Sequence, residues 1–222
     1  MLLSLIRNGF SKETLIMVLL SIPVILFSLS FHEFSHALSA HWLGDNTARN
    51  YGRMTINPMK HLDPIGALLM LLCGFGWAKP VPINSRNFKK PKWGMALSAS
   101  AGPISNLLLG FVSVLCSELV FSIYIKTGYS AVLNALYLFF IVAADLNVYL
   151  AVFNLLPIPP LDGSRLLFTF LPTKYYFSIM KYEQIISTVV IVLLITGALS
   201  RPLGFVADLI LGGFFKIATA IF

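Results

Sequence analysis

The sequence predicts an all-α integral membrane protein, a polytopic helical bundle of about four to six membrane segments with a short strand-containing re-entrant or cytoplasmic loop. Three observations carry that expectation. Of 222 residues, 57% are hydrophobic and only 11% charged, and a mean hydropathy of +0.83 lies far outside the range of a water-soluble domain. The apolar residues come in runs of bilayer length. The basic residues, which give a net charge of +7, gather in loops beside those runs, the pattern that marks the cytoplasmic face of a membrane protein. That charge is read as topology, and no nucleic-acid partner is expected. Cys73 and Cys116 sit in apolar surroundings without CxxC spacing, so neither a disulfide framework nor a sulfur metal site is indicated.

The first run extends from about Thr14 to Leu43, roughly 30 residues at ~1.5 Å each, enough to cross a bilayer with tilt. A cleavable signal peptide is the competing reading, but the run is too long for one. Pro23 is expected to bend it. Residues 44–93 change character, with many Gly, Pro and Lys residues. There Met54 and Ile56 alternate as a short strand would, and the nine residues Ile65 to Cys73 suit a re-entrant or interfacial segment. Gly94 to Tyr124 and Ala131 to Leu156 are the next spans, the second holding Asp145, Asn147 and Asn154. It breaks at Pro157-Ile158-Pro159-Pro160. Gln184 to Leu199 is marginal in length, and Pro202 to Phe222 spans or lies in the interface.

Eleven of the sixteen Lys and Arg residues fall in 44–93 and 162–183, whereas Arg7, Lys12, Lys126 and Arg201 are assigned to the opposite side. The N-terminus is therefore expected outside and the two basic segments in the cytoplasm.

Inside the first run stands Phe31-His32-Glu33-Phe34-Ser35-His36. On a helix His32 and His36 project from one face and can share a metal ion, while Glu33 lies about 100° round, within reach of a metal-activated water without being a ligand. Ionisable groups at membrane depth are costly, which makes a packing explanation poor. The pattern reads as HExxH, and a catalytic zinc needs a third protein ligand. Asp162 is the strongest candidate, because the span from Ala131 ends at the depth reached by His32 and His36, about 27 to 33 Å along the first run.

The chain resembles the site-2 proteases, intramembrane zinc metalloproteases, in their compact form without PDZ or CBS domains. Three ordered blocks carry the likeness: Phe31 to His36, Gly102-Pro103-Ile104-Ser105-Asn106, and Asn154 to Gly163. The resemblance implies one zinc per chain on His32, His36 and Asp162, Glu33 as catalytic base, and Asn106 and Asn154 as groups that engage the substrate backbone. It also implies a transmembrane protein substrate, a lipid bilayer setting and an active site near the cytoplasmic side of the cell membrane. Residues 1–222 are expected to form one membrane-embedded metalloprotease domain, with a catalytic core over about 14–165 and C-terminal membrane segments over about 183–222.

For Asn106 and Asn154, hydrogen bonding between helices stands level with substrate contact. His41, about 180° round the helix from His32, is interfacial, and His61 is a loop hydrogen-bonding residue. Trp42, Trp77 and Trp93 are read as interface anchors. Asp145 is expected to pair with a polar neighbour inside the bundle. Two other functions compete with intramembrane cleavage. A membrane zinc protease acting on soluble or lipidated tails would need a downstream Glu ligand, for which Glu183 is the late candidate, and a metal-ion transporter would show inverted repeats, of which none is visible. Substrate identity and oligomeric state are not legible.

Overall fold

The computed structural model describes residues 12–66, 78–128, 130–172 and 178–222. Within these residues the regular structure is helical. Helix α1 spans Lys12–Trp42, α2 Thr47–Asn50, α3 Pro91–Thr127, α4 Ala131–Asn154, α5 Asp162–Phe170, α6 Glu183–Ile195 and α7 Ser200–Thr219. Four of them, α1, α3, α4 and α7, are long and apolar enough to cross a membrane. The reason is chemical: a bilayer offers no partner for backbone N–H and C=O groups, so an apolar run of this length satisfies them internally as helix. With 13 residues, α6 is about 20 Å long and falls short of a ~30 Å hydrocarbon core.

Helix ends follow local chemistry. Chain direction reverses after α3 at Gly128, whose φ of 87° admits no ordinary side chain cheaply. The Ser130 side chain then caps α4 by accepting from the Leu133 N–H. At the other membrane face α1 ends at Gly44, φ 105°, and the chain is pinned by Asp45. The Asp45 carboxylate accepts from Thr47 N and Oγ1, Asn84 N and Asn87 Nδ2, so it ties the loop before α3 to the end of α1. Burial opposes ionisation there, but these donors hold its pKa below the usual carboxylate value.

The core is a three-helix group in which α3 lies against both α1 and α4. Helix α7 packs on it through Val148, Val152, Leu203 and Ala207, and, farther along, its Ala218 meets Val114 and Ala144. These contacts make α7 antiparallel to α4, and its first turn lies beside the last turns of α4. Arg201 therefore belongs to the same membrane face as the Pro157 to Pro160 break, which corrects its assignment to the opposite side. The shortness of α6 is the cause, because it returns the chain to the face from which it entered.

Two further expectations change. No strand forms around Met54 and Ile56, and among the described residues the β-type pairing is a lone bridge between Leu62 and Ala78. Alternation over so few residues does not make a strand without a partner edge. Asp145 lies on the exposed side of α4 without a hydrogen bond or ion pair among the described residues, and the charge it senses is the like charge of Asp208. Most of Ile65 to Cys73, and Trp77, lie outside the described residues.

Candidate metal centre and its cavity

His32 and His36 sit one turn apart near the end of α1, 4% and 5% exposed. Their Nε2 atoms are 3.0 Å from each other, and each is 3.1 Å from Asp162 Oδ2. Asp162 arrives from α5, 130 residues away in sequence. Tetrahedral zinc with bonds of about 2.0–2.1 Å places its ligand atoms about 3.3 Å apart, so the triangle is close to the size a metal requires.

The outer hydrogen bonds identify the atoms that face inward. His36 Nδ1 is 2.7 Å from the Ser98 carbonyl oxygen, which can only accept, so Nδ1 carries the proton. His32 Nδ1 faces Asn106 Oδ1 at 2.5 Å. Both imidazoles therefore turn an Nε2 lone pair toward the carboxylate. Three acceptors so close repel one another. A proton relieves one such contact, and a metal ion relieves all of them. Burial alone would raise the Asp162 carboxyl. Without a metal, however, a proton taken up between the rings and the carboxylate gives His36 charge and supplies Nε2–H donors, and these outweigh burial and hold the Asp162 pKa well below the usual range.

Gly102 makes room for this arrangement. A Cβ built on it would stand 2.5 Å from His36 Nε2 and 2.6 Å from His32 Nε2, so any side chain on α3 at this point would occupy the centre. Gly163 does the same for α5. There a Cβ would run into the carbonyl oxygens of Leu155 and Leu156, so glycine lets the first turn of α5 pack on the end of α4 and carry Asp162 inward. Within the proline-rich break the Ile158 N–H donates to Leu156 O and the Leu161 N–H to Ile158 O, which compacts it.

Glu33 is 8% exposed, and its Oε2 accepts from the Val81 N–H at 2.8 Å. Its Oε1 has no protein partner among the described residues, leaving one oxygen for chemistry. His32, Glu33, His36 and Asp162 all line one cavity of about 1230 Å³ whose other walls come from α4, α6 and the extended segment at Pro80 and Val81. Its surface is mainly apolar.

The remaining expected residues separate. Asn154 lines the cavity and donates through Nδ2 to Leu150 O, 3.0 Å. Asn106 does not line it. This residue is 0% exposed, and both ends of its amide are engaged, Oδ1 with His32 and Nδ2 with Asn147 Oδ1 at 2.8 Å. Glu183 lies in the cavity wall but outside the group of ligand atoms formed by His32, His36 and Asp162. His61 is a buried loop residue bonded to the Thr55 carbonyl, and His41 pairs with Asn46 away from the centre. Sequence reasoning did not find Asn147, Ser98 or Val81. A polar amide inside an apolar span was the available signal for Asn147, whereas Ser98 and Val81 act through backbone atoms that no side chain announces.

Comparison with known proteins agrees with this chemistry. The description of peptidase family M50 matches residues 116–197, which hold Asn154 and Asp162. YwhC of Bacillus subtilis (strain 168), which carries zinc metalloprotease in its name, is 41% identical over 180 residues, 81% of this chain and 80% of its own. Rip2 of Mycolicibacterium smegmatis (strain ATCC 700084 / mc(2)155), similarly named, is 31% identical over 79% of this chain and 66% of its own. MJ0611 of Methanocaldococcus jannaschii, also so named, is 27% identical over 72% and 74%. No solved structure matches the chain. With a likeness of this extent to YwhC and a His-His-Asp cluster of metal-binding size, the chain belongs to peptidase family M50, the site-2 proteases, and is a multi-pass membrane zinc metalloprotease.

Proposed function

We propose that this chain is an intramembrane endopeptidase that hydrolyses a peptide bond in or near a transmembrane helix of another membrane protein, with one zinc held by His32, His36 and Asp162. The carrying observation is the triangle of Nε2, Nε2 and Oδ2 at 3.0–3.1 Å in the wall of a cavity that also exposes Glu33. A zinc bound by these residues would supply Lewis-acid chemistry, lowering the pKa of a water and polarising a carbonyl.

The protein groups divide the remaining work. Glu33 takes the proton from the attacking water and returns it to the leaving nitrogen. The Val81 N–H on its Oε2 holds the carboxylate in place. Asn154 is the substrate-facing amide: one Nδ2 hydrogen is used on Leu150 O, and the second can donate to a substrate carbonyl or developing oxyanion. Asn106, fully buried behind His32, is assigned to orienting that imidazole. The apolar cavity wall suits a segment delivered from lipid, and the Lys and Arg residues of 44–93 and 162–183, joined by Arg201, support a cytoplasmic assignment for the face of the α4 break.

Glu33→Gln tests the reading. It should keep zinc near one per chain and lower cleavage of a single-span membrane protein by ~10² to 10⁴. Cleavage near the parent rate by a folded, zinc-loaded Glu33→Gln protein rejects it.

A further inference from the structure

We infer that Asn147, about two turns before the end of α4 and outside the cavity lining, is a positioning residue that sets the tautomer of His32 through Asn106. The inference rests on the reading that His32 holds the zinc. A side-chain amide can be turned over with little change of shape, exchanging its oxygen and nitrogen, so Asn106 alone could offer His32 either an acceptor or a donor. Its neighbour removes that freedom.

The orientation propagates from a fixed point. The Ala143 carbonyl oxygen can only accept, so the amide end of Asn147 at 2.8 Å from it is Nδ2. Asn147 Oδ1 then faces Asn106, which must answer with its own Nδ2, at 2.8 Å. Asn106 Oδ1 is thereby left for His32 Nδ1. The imidazole has to donate there, and Nε2 keeps its lone pair for the metal.

Every link is shielded from water, with Asn147 2% and Asn106 0% exposed. Neither side chain lines the cavity, so no substrate or solvent competes for these bonds. Three helices are joined by the relay, one residue from each of α1, α3 and α4. Bonds of this kind behind a metal ligand typically change metal affinity ten- to a hundredfold when broken.

The test compares Asn147→Leu and Asn147→Asp with the parent, reading zinc affinity by competition with a chelator and apo-protein thermal unfolding in the same detergent. Leu removes the oxygen that orients Asn106, and a ten- to hundredfold weaker zinc affinity is expected. Asp keeps an oxygen facing Asn106 Nδ2, and parent-like affinity is expected. Simple packing predicts the opposite order, because Leu suits an apolar helix interior better than an acid does. Parent-like zinc binding by Asn147→Leu, or Asp as weak as Leu, overturns the inference. If Asn147→Leu does not fold, Asn147→Asp decides alone, retained affinity supporting the relay and lost affinity rejecting it. A parent protein that takes up no zinc rejects the zinc assignment itself, and this inference with it, a result distinct from any difference among variants.

Discussion

The three-helix group α1, α3 and α4 and the C-terminal pair α6 and α7 are held together by different forces. Between α1, α3 and α4 run side-chain hydrogen bonds of 2.5 to 3.2 Å through His32, His36, Ser98, Asn106 and Asn147. Helix α7 instead meets α4 through Val148, Val152, Leu203 and Ala207, contacts that tolerate small shifts. Apolar packing is sufficient to assemble a membrane bundle. Holding three ligand atoms at metal distance needs directional bonds, because dispersion contacts do not fix which atom of an imidazole points inward.

That contrast breaks most sharply at Glu33, where the Gln variant should lose ~10² to 10⁴ of turnover without losing zinc. Gly102→Ala comes next, since its methyl would sit 2.5 Å from His36 Nε2. The expected outcome is zinc content well below one per chain by metal analysis while the far-ultraviolet circular dichroism of the bundle persists. Full zinc retention would mean that the centre is looser than its geometry implies.

Leu203→Ala probes the apolar half. This residue is 3% exposed in the α4–α7 contact, and truncation should cost about 2 kcal/mol of stability in detergent with zinc stoichiometry unchanged. A loss of zinc without a loss of stability would show that α7 reaches the centre after all.

Asp45 gives the smallest effect and a pH signature. Its folded pKa is depressed, so its contribution is fully present above the unfolded value of about 3.9 and is lost as pH falls through the folded one. Amide exchange at Asn84, corrected for intrinsic rates, should rise as the parent is acidified below about pH 4. Asp45→Ala should show the fast exchange already at neutral pH, and an unchanged rate there would remove Asp45 as the clasp.

Much of this was legible beforehand for reasons that differ by residue. His32, Glu33 and His36 lie within one helical turn, so spacing alone put them together. Asp162 was reachable because two spans ending at one depth are constrained by bilayer thickness, and the family resemblance pointed to the same residue. Asn106 was expected against substrate and is found behind His32, a distinction that depends on which face of α3 meets α1. Arg201 was misplaced because α6 has the hydropathy of a span without the length of one.

The sequence by itself determined the helices and the paired histidines, since a bilayer forces apolar runs to satisfy their own backbone and an i, i+4 spacing is local geometry. Only the tertiary structure decided how Asp162 meets the two histidines, which amide lies against His32, and on which face α7 begins. Those choices are made by contacts between segments up to 130 residues apart, through glycines that admit close approach and carbonyls that admit one hydrogen-bond direction. No local pattern encodes either.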